Sequence, residues 1–280
     1  MQELAADTRI LEGFDFDDLD EASLDAYRER FAATYPEHPW LESDGRTLLE
    51  RLGCCRKDRA RGKTGLTLAG LLMFGRYDSI VAPEAVPNYF VDYRSYRGQK
   101  SPRTTWTERL FPDATWEANL FQFFVRAWPR LIADLEVPRP LQGGRRLAET
   151  PVHIALREAF VNAMVHADYS VPGGIVIERH GDRFAMENPG TLLVSEEQLR
   201  RGGVSQCRNR SLQRMFVLIG GGDQAGSGYG RIQEGWWSQV WPAPRLTAQT
   251  NPDRVRLDLE MRRVAPEQAL ARAGERRRRS

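Results

Sequence analysis

Residues 157–169, Arg-Glu-Ala-Phe-Val-Asn-Ala-Met-Val-His-Ala-Asp-Tyr, constrain the fold of this chain more than any other stretch. Glu158, Asn162 and His166 recur every four residues and so form one nearly straight row along a helix. Around the rest of the cylinder lie Leu156, Ala159, Phe160, Val161, Ala163, Met164 and Val165. A helix apolar on almost every side belongs in a core, and a polar row on it must face hydrogen-bonding partners or a cavity. Two readings follow: core hydrogen bonds, with Glu158 paired to an arginine, or a ligand site. A core is available, because 280 residues with 41% hydrophobic and 10% aromatic content exclude wholesale disorder. That length suits one large domain or two smaller ones.

Two later motifs favour the ligand site. Glu187-Asn188-Pro189-Gly190 ends a strand in a sharp turn, and Ala225-Gly226-Ser227-Gly228-Tyr229-Gly230 precedes a helix expected near Arg231. Glycines there let the backbone approach a ligand, and a helix N-terminus offers free N–H groups to phosphate. A lone glycine-rich loop is a weak signal, with a flexible connection as its plain alternative. Its order after the Glu/Asn helix and the Asn-Pro-Gly turn is far less easily produced by chance.

Periodicity and punctuation place these motifs. Helical spacing runs from Leu19 and breaks at Pro36–Pro39, and a second helix is capped by Ser43 or Asp44 and stopped by Gly53. Arg56–Lys63 is charged and reads as a loop. Thr67–Phe74 is a short buried helix, Val86–Tyr96 a strand, and Ala114–Leu135 a long amphipathic helix with a kink or break at Pro129. Pro138–Gly144 reads as a linker, which divides the chain into 1–144, 145–262 and a basic tail, 263–280, expected to be disordered. The second part holds a helix at 151–167 and strands at 175–179 and 183–187. Helices at 195–201 and 209–219 follow, then the glycine-rich loop, a helix to about Val240 and strands at 245–249 and 254–261.

Several function classes drop out. Forty basic against 38 acidic residues give a net charge of +2, which predicts no strong long-range attraction to nucleic acid or anionic membranes. Only Lys57, Lys63 and Lys100 are lysines, an arginine skew that reads as codon usage more readily than phosphate recognition. Cys54, Cys55 and Cys207 supply neither a disulfide framework nor metal-ligand spacing. The acidic N-terminus lacks an apolar signal region and no apolar run reaches bilayer length, so the chain reads as cytoplasmic and soluble. Gly62-Lys63-Thr64 imitates the end of a P-loop, but position 57 is lysine and no strand is expected before it. His38, His153 and His180 lack neighbours for a zinc site, no serine stands in a nucleophile-elbow context, and Trp236, Trp237 and Trp241 read as core. Arg208, Arg210 and Arg214 divide evenly between lining phosphates and covering a surface helix.

The motif order resembles the GHKL (Bergerat-fold) ATPases, which carry a Glu-x-x-x-Asn helix, an Asp-x-Gly turn and a glycine-rich lid. Closer still, the chain is similar to the divergent RecG-like C-terminal ATPase domain that follows a Schlafen/AlbA-type domain in bacterial and archaeal transcriptional regulators. Arg157-Glu158-Ala159, Asn162-Ala163, His166-Ala167-Asp168-Tyr169, Asn188-Pro189-Gly190, Arg208-Asn209 and Gly226-Ser227-Gly228 carry the match. Leu66–Gly75 resembles the linker that precedes this domain, so the likeness spans roughly 64–262. It implies an α/β (α+β) sandwich of helices on a mixed sheet, preceded by a mainly helical region. By the same likeness Glu158 is the general base and Asn162 the Mg²⁺ ligand. Asn162, His166, Asn188, Gly190, Gly226, Ser227 and Gly228 contact the nucleotide, ATP, and Asn188 stands where better-known members have an adenine-binding aspartate. The function implied is a nucleotide-responsive switch, with slow Mg²⁺-dependent hydrolysis. A degenerate assembly domain and a DNA-binding regulator are the alternatives. Partner classes are the nucleotide, a second copy of the chain, and DNA through a Schlafen/AlbA-type domain upstream of Met1, with no membrane.

Overall fold

Alternating apolar and charged residues in the C-terminal strands are realised as a sheet with two unlike faces. The computed structural model describes residues 6–59, 62–96, 105–133, 135–138, 141–142, 145–146, 149–201, 206–222 and 228–262. In chain order, α1 (Glu21–Thr34) starts at Asp20, whose side chain accepts from the Ser23 amide. Helix α2 (Gly45–Leu52) starts at Asp44 and stops at Gly53, where φ of 88° suits glycine. Strands β1 (Cys55–Lys57) and β2 (Thr64–Leu66) pair as a hairpin, and α3 (Leu68–Phe74) is buried at every position. A single turn, α4 (Tyr77–Ile80), leads to β3 (Val91–Ser95), β4 (Glu108–Leu110) and α5 (Leu120–Ile132). The pair β5 (Leu141–Gln142) and β6 (Arg145–Arg146) precedes α6 (Pro151–Val165). Strands β7 (Ile175–His180) and β8 (Arg183–Pro189), helices α7 (Glu196–Arg201), α8 (Arg210–Leu218) and α9 (Gly228–Trp237), and strands β9 (Arg245–Gln249) and β10 (Arg254–Glu260) complete the order.

Six strands form one sheet in the order β4-β3-β7-β8-β10-β9. Only β3 and β7 run parallel, so the sheet is mixed and draws strands from both sides of residue 144. Register puts Val91, Tyr93, Ile175, Ile177, Phe184, Met186, Leu257 and Leu259 on one face, all buried. Helix α6 packs against β7 and β8 on this side, and Trp236 of α9 meets Phe184 at 6.1 Å. Helix α6 also touches α5, α8 and α9, which is why it is apolar almost all round. The opposite face is charged: Asp92 pairs with Arg94 and Arg109, Glu178 with Arg256, and Glu187 with Arg254 and Arg256. Behind the helical layer, Tyr27 and Phe31 of α1, Phe74 of α3 and Phe121, Phe123 and Phe124 of α5 make an aromatic core.

Several expectations need correcting. The stretch expected as a loop at Arg56–Lys63 holds part of the β1–β2 hairpin: Arg56 and Lys57 lie in β1, and the Asp58 amide donates to Lys63 O at 2.8 Å. A strand therefore does precede Gly62-Lys63-Thr64, yet it returns antiparallel and does not lead into a helix as a P-loop would. The expected strand at 86–96 shortens to Val91–Ser95, because Val86 and Tyr89 are spent on turns. Helix α5 begins at Leu120 and not Ala114, since the Asn119 side chain caps it at the Gln122 amide, and Pro129 lies inside it without ending it. The assumed linker contains β5. The tail at 263–280 lies outside the described residues.

Candidate functional site

Helix α6 is launched by Thr150, with Pro151 at its first position and a capping box in which Thr150 Oγ1 meets His153 Nδ1 at 2.7 Å. His153 is thereby occupied in capping. From this fixed start the four-residue repeat carries Glu158, Asn162 and His166 in line, and the row is about 12 Å long at 1.5 Å per residue. Glu158 is buried, while Asn162 and His166 are partly exposed.

The two ends of the row meet different parts of the fold. At the first, the Glu158 carboxylate lies against the start of α9. A Cβ on Gly228 would come 2.5 Å from Glu158 Oε1 and 3.4 Å from Asn162 Nδ2. A Cβ on Gly222 would lie 3.4 Å from Glu158 Oε2, so both borders of the glycine-rich loop flank this carboxylate. Gly226 and Ser227 lie outside the described residues. Gly228 is the point where the helix row and the loop come together.

At the other end, the row reaches the Asn-Pro-Gly turn. Asn188 is buried and shares the helix-covered face of β8 with Met186; its amide nitrogen donates to Pro189 O at 3.1 Å, leaving the amide oxygen as an acceptor. Gly190 has φ of 103°, and a Cβ there would meet Asp168 Cβ at 2.7 Å. The close approach is fixed by the Asp168 amide donating to Pro189 O at 2.9 Å.

His166 closes α6, its amide donating to Asn162 O. Burial, with the neighbouring Arg208 guanidinium, lowers its pKa from 6.5 to about 4. The imidazole is therefore neutral at pH 7.

Sequence reasoning did not foresee the clamp that holds this end. Arg208 pairs with Asp168 at 3.1 Å and donates to Thr191 O, and its buried Nε has no partner. Asn209 Nδ2 donates to Val165 O and Ala167 O, supplying the carbonyls that α6 leaves open at its C-terminus. The Arg208-Asn209 pair was visible in the chain, but its role needed the fold. Arg210 and Arg214 line a separate groove with Arg56. Arg214 is spent on Leu52 O at 2.7 Å.

With this geometry in view, comparison with known proteins is informative in parts. Residues 173–257 match a family described as "Putative ATP-dependent DNA helicase recG C-terminal", an ATPase-like family. Residues 1–92 match a domain of unknown function, DUF8451. The first match covers β7 to β10, including Asn188, Gly190 and the glycine-rich loop, and begins after Glu158, Asn162 and His166. No curated protein sequence matches the chain. Among solved structures, the crystal structure of the DIP2311 protein from Corynebacterium diphtheriae superimposes with a TM-score of 0.67 over 95% of this chain, at 18% identity. The present chain spans 42% of that protein's length, so the likeness is one of fold. Among the described residues no helix is long and apolar enough to cross a membrane. The chain thus has a mixed α/β sandwich fold, with a region similar to an ATPase-like family across its C-terminal strands.

Proposed function

We propose that the chain binds ATP with Mg²⁺ along the polar row of α6, between the start of α9 and the end of β8, as a nucleotide-responsive switch in a regulator. The observation that carries this reading is the meeting of Glu158 and Asn162 at Gly228. The missing Cβ at Gly228 lets the start of α9 come up against the Glu158 carboxylate and the Asn162 amide, and the N–H groups of that first turn are what would receive phosphate. Phosphates would lie at this end of the row and the base at the other, where the Asn188 amide oxygen can accept from an exocyclic amino group. A neutral His166 adds no charge beside the base.

The donor set suits Mg²⁺ shared with phosphate. Among the described residues no group of three or more His, Cys, Asp and Glu forms a protein cage. Asn162 would hold the ion, with phosphate oxygens and water as its other ligands. When bound, it would neutralise charge on the phosphates. Glu158 would serve as the general base that takes a proton from the attacking water.

Calorimetric titration with ATP, and with a non-hydrolysable analogue, tests the reading. Saturable Mg²⁺-dependent binding is expected, with a stabilisation of about 2.7 kcal/mol at a ligand concentration of about 100 times Kd. Absence of heat and of any Tm shift at millimolar nucleotide would refute it.

A further inference from the structure

The net charge of +2 hides a local concentration of positive charge that the nucleotide site does not use. From Arg56 to Lys63 the chain carries Arg56, Lys57, Arg59, Arg61 and Lys63 against a single acid, Asp58. Of this segment, 56–59 and 62–63 are described, and they belong to the β1–β2 hairpin and the ends of its turn. Cys55 and Leu66 pair across its base and are buried, whereas Arg56, Lys57, Arg59 and Lys63 are exposed. The side chains of Lys57, Arg59, Lys63 and Arg210 make no hydrogen bond or ion pair among the described residues. Beside the hairpin lies a groove of about 560 Å³ whose basic lining is Arg56, Arg210 and Arg214, with Thr8, Ser211 and Gln213 offering neutral donors. Glu50 is its one acidic group, and Arg56 belongs to both hairpin and groove. The buried Nε of Arg214 has no hydrogen-bond partner among the described residues.

We propose that this hairpin and groove form a second site that docks the phosphate backbone of a nucleic-acid duplex. Unpaired guanidinium and ammonium groups on a protruding hairpin, next to a concave row of arginines, present donors to successive phosphates. Among the described residues the exposed large hydrophobic side chains are Phe16, Tyr35, Trp106, Ile154, Leu193 and Val240. None lies on the hairpin or lines the groove, so among the described residues there is no aromatic platform for an unpaired base and no apolar wedge for a lipid surface. That favours a duplex over a single strand or a membrane. The docking is sequence-independent, since it rests on phosphates.

The test is fluorescence anisotropy of a labelled 20-base-pair DNA duplex of arbitrary sequence, without nucleotide and over a salt series. Omitting nucleotide keeps the result independent of ATP binding. The parent should bind with steep salt dependence. The quadruple variant Lys57→Gln, Arg59→Gln, Lys63→Gln, Arg210→Gln removes four unpartnered exposed cations and should keep the parent Tm. Its affinity should fall by at least ~10²-fold at 0.1 M salt, and the slope of log K against log salt should lose about 3 to 4, near 0.9 per phosphate contact. Unchanged affinity and slope in this variant would overturn the proposal. So would a loss that follows neutralisation of Arg276–Arg279 instead, a preference for single-stranded DNA, or binding only to vesicles containing phosphatidylserine.

Discussion

Replacing Gly228 with alanine separates a ligand site from a packing feature. The added methyl would lie 2.5 Å from Glu158 Oε1, closer than side-chain carbons approach oxygen, so the carboxylate must swing away by roughly 0.5–1 Å. The atom that yields is the far end of a flexible side chain, so the fold can absorb the change cheaply. Alanine also favours the helical state over glycine by as much as about 1 kcal/mol, which offsets the cost. Stability should therefore hold or rise slightly. Function should not. A displacement of this size at a reacting group costs up to about 10²-fold in turnover, and loss of a hydrogen bond to a charged phosphate costs about 1.5–3 kcal/mol in binding. Gly230→Ala is the matched control: it changes the same helix in the same way, and a Cβ there meets nothing within 4 Å. Nucleotide titration and thermal melts on both variants make the assay. Equal nucleotide affinity in Gly228→Ala and Gly230→Ala would refute the placement of phosphates at the start of α9.

Glu158→Gln should keep ATP affinity and lower any turnover by at least ~10²-fold, whereas Asn162→Ala should weaken Mg²⁺-dependent binding itself; paired titration and phosphate-release assays check both. Acid should destabilise the fold through His166, whose folded pKa of about 4 lies below the value near 6.5 expected when unfolded. As pH falls from 6.5 to 4 the unfolded chain takes up a proton that the folded one refuses, at a cost of about 2 kcal/mol by pH 5; urea denaturation of the parent and His166→Gln at pH 7 and pH 5 should show a smaller loss in the variant. Gly190→Ala should destabilise by roughly 1–3 kcal/mol, since its φ of 103° and the 2.7 Å approach to Asp168 Cβ leave no room for a methyl; a Tm equal to the parent's would count against that geometry.

Local chemistry made much of the fold legible. Asp44 and Gly53 bracket α2 as a cap and a left-handed stop should, and the Thr67 hydroxyl opens α3 by accepting from the Gly70 amide. The four-residue row was readable because periodicity alone sets it, and so was the Asn-Pro-Gly turn. The hairpin at 55–66 was not, because its arms are too short and charged to show strand alternation. It is fixed by distant contacts such as the Leu11 amide donating to Leu66 O. The start of α5 moved for a similar reason: Asn119 both caps that helix and donates to Gly75 O and Ser23 Oγ, a junction of three segments far apart in sequence. At the candidate site, Glu158, Asn162 and Gly228 could be nominated from spacing and loop composition. The Asp168–Arg208 clamp could not, since it joins residues 40 apart through geometry created only by the sheet and α6.

Helix α8 is anchored at both of its ends by residues from the first part of the chain. Asp7, fully buried, accepts from the Leu212 amide in its first turn and so caps α8 from more than 200 residues away. At the other end the Tyr27 hydroxyl donates to Met215 O at 2.9 Å and Arg30 Nε to Ile219 O at 3.3 Å. Immediately beyond, Gly220 turns with φ of 75°, and a Cβ on it would sit 3.7 Å from Thr34 Cγ2. Backbone groups at both ends of α8 are thus satisfied by the side chain of Asp7 and by side chains of α1, all within 1–92, and leaving such a group buried and unpaired costs about 1–3 kcal/mol. Two residues past Gly220 stands Gly222, against the Glu158 carboxylate. The position of the glycine-rich border is therefore set in part by Asp7, Tyr27 and Arg30, none of which lies in the ATPase-like stretch at 173–257. The geometry around Glu158 is a property of both matched regions together, held through one nine-residue helix.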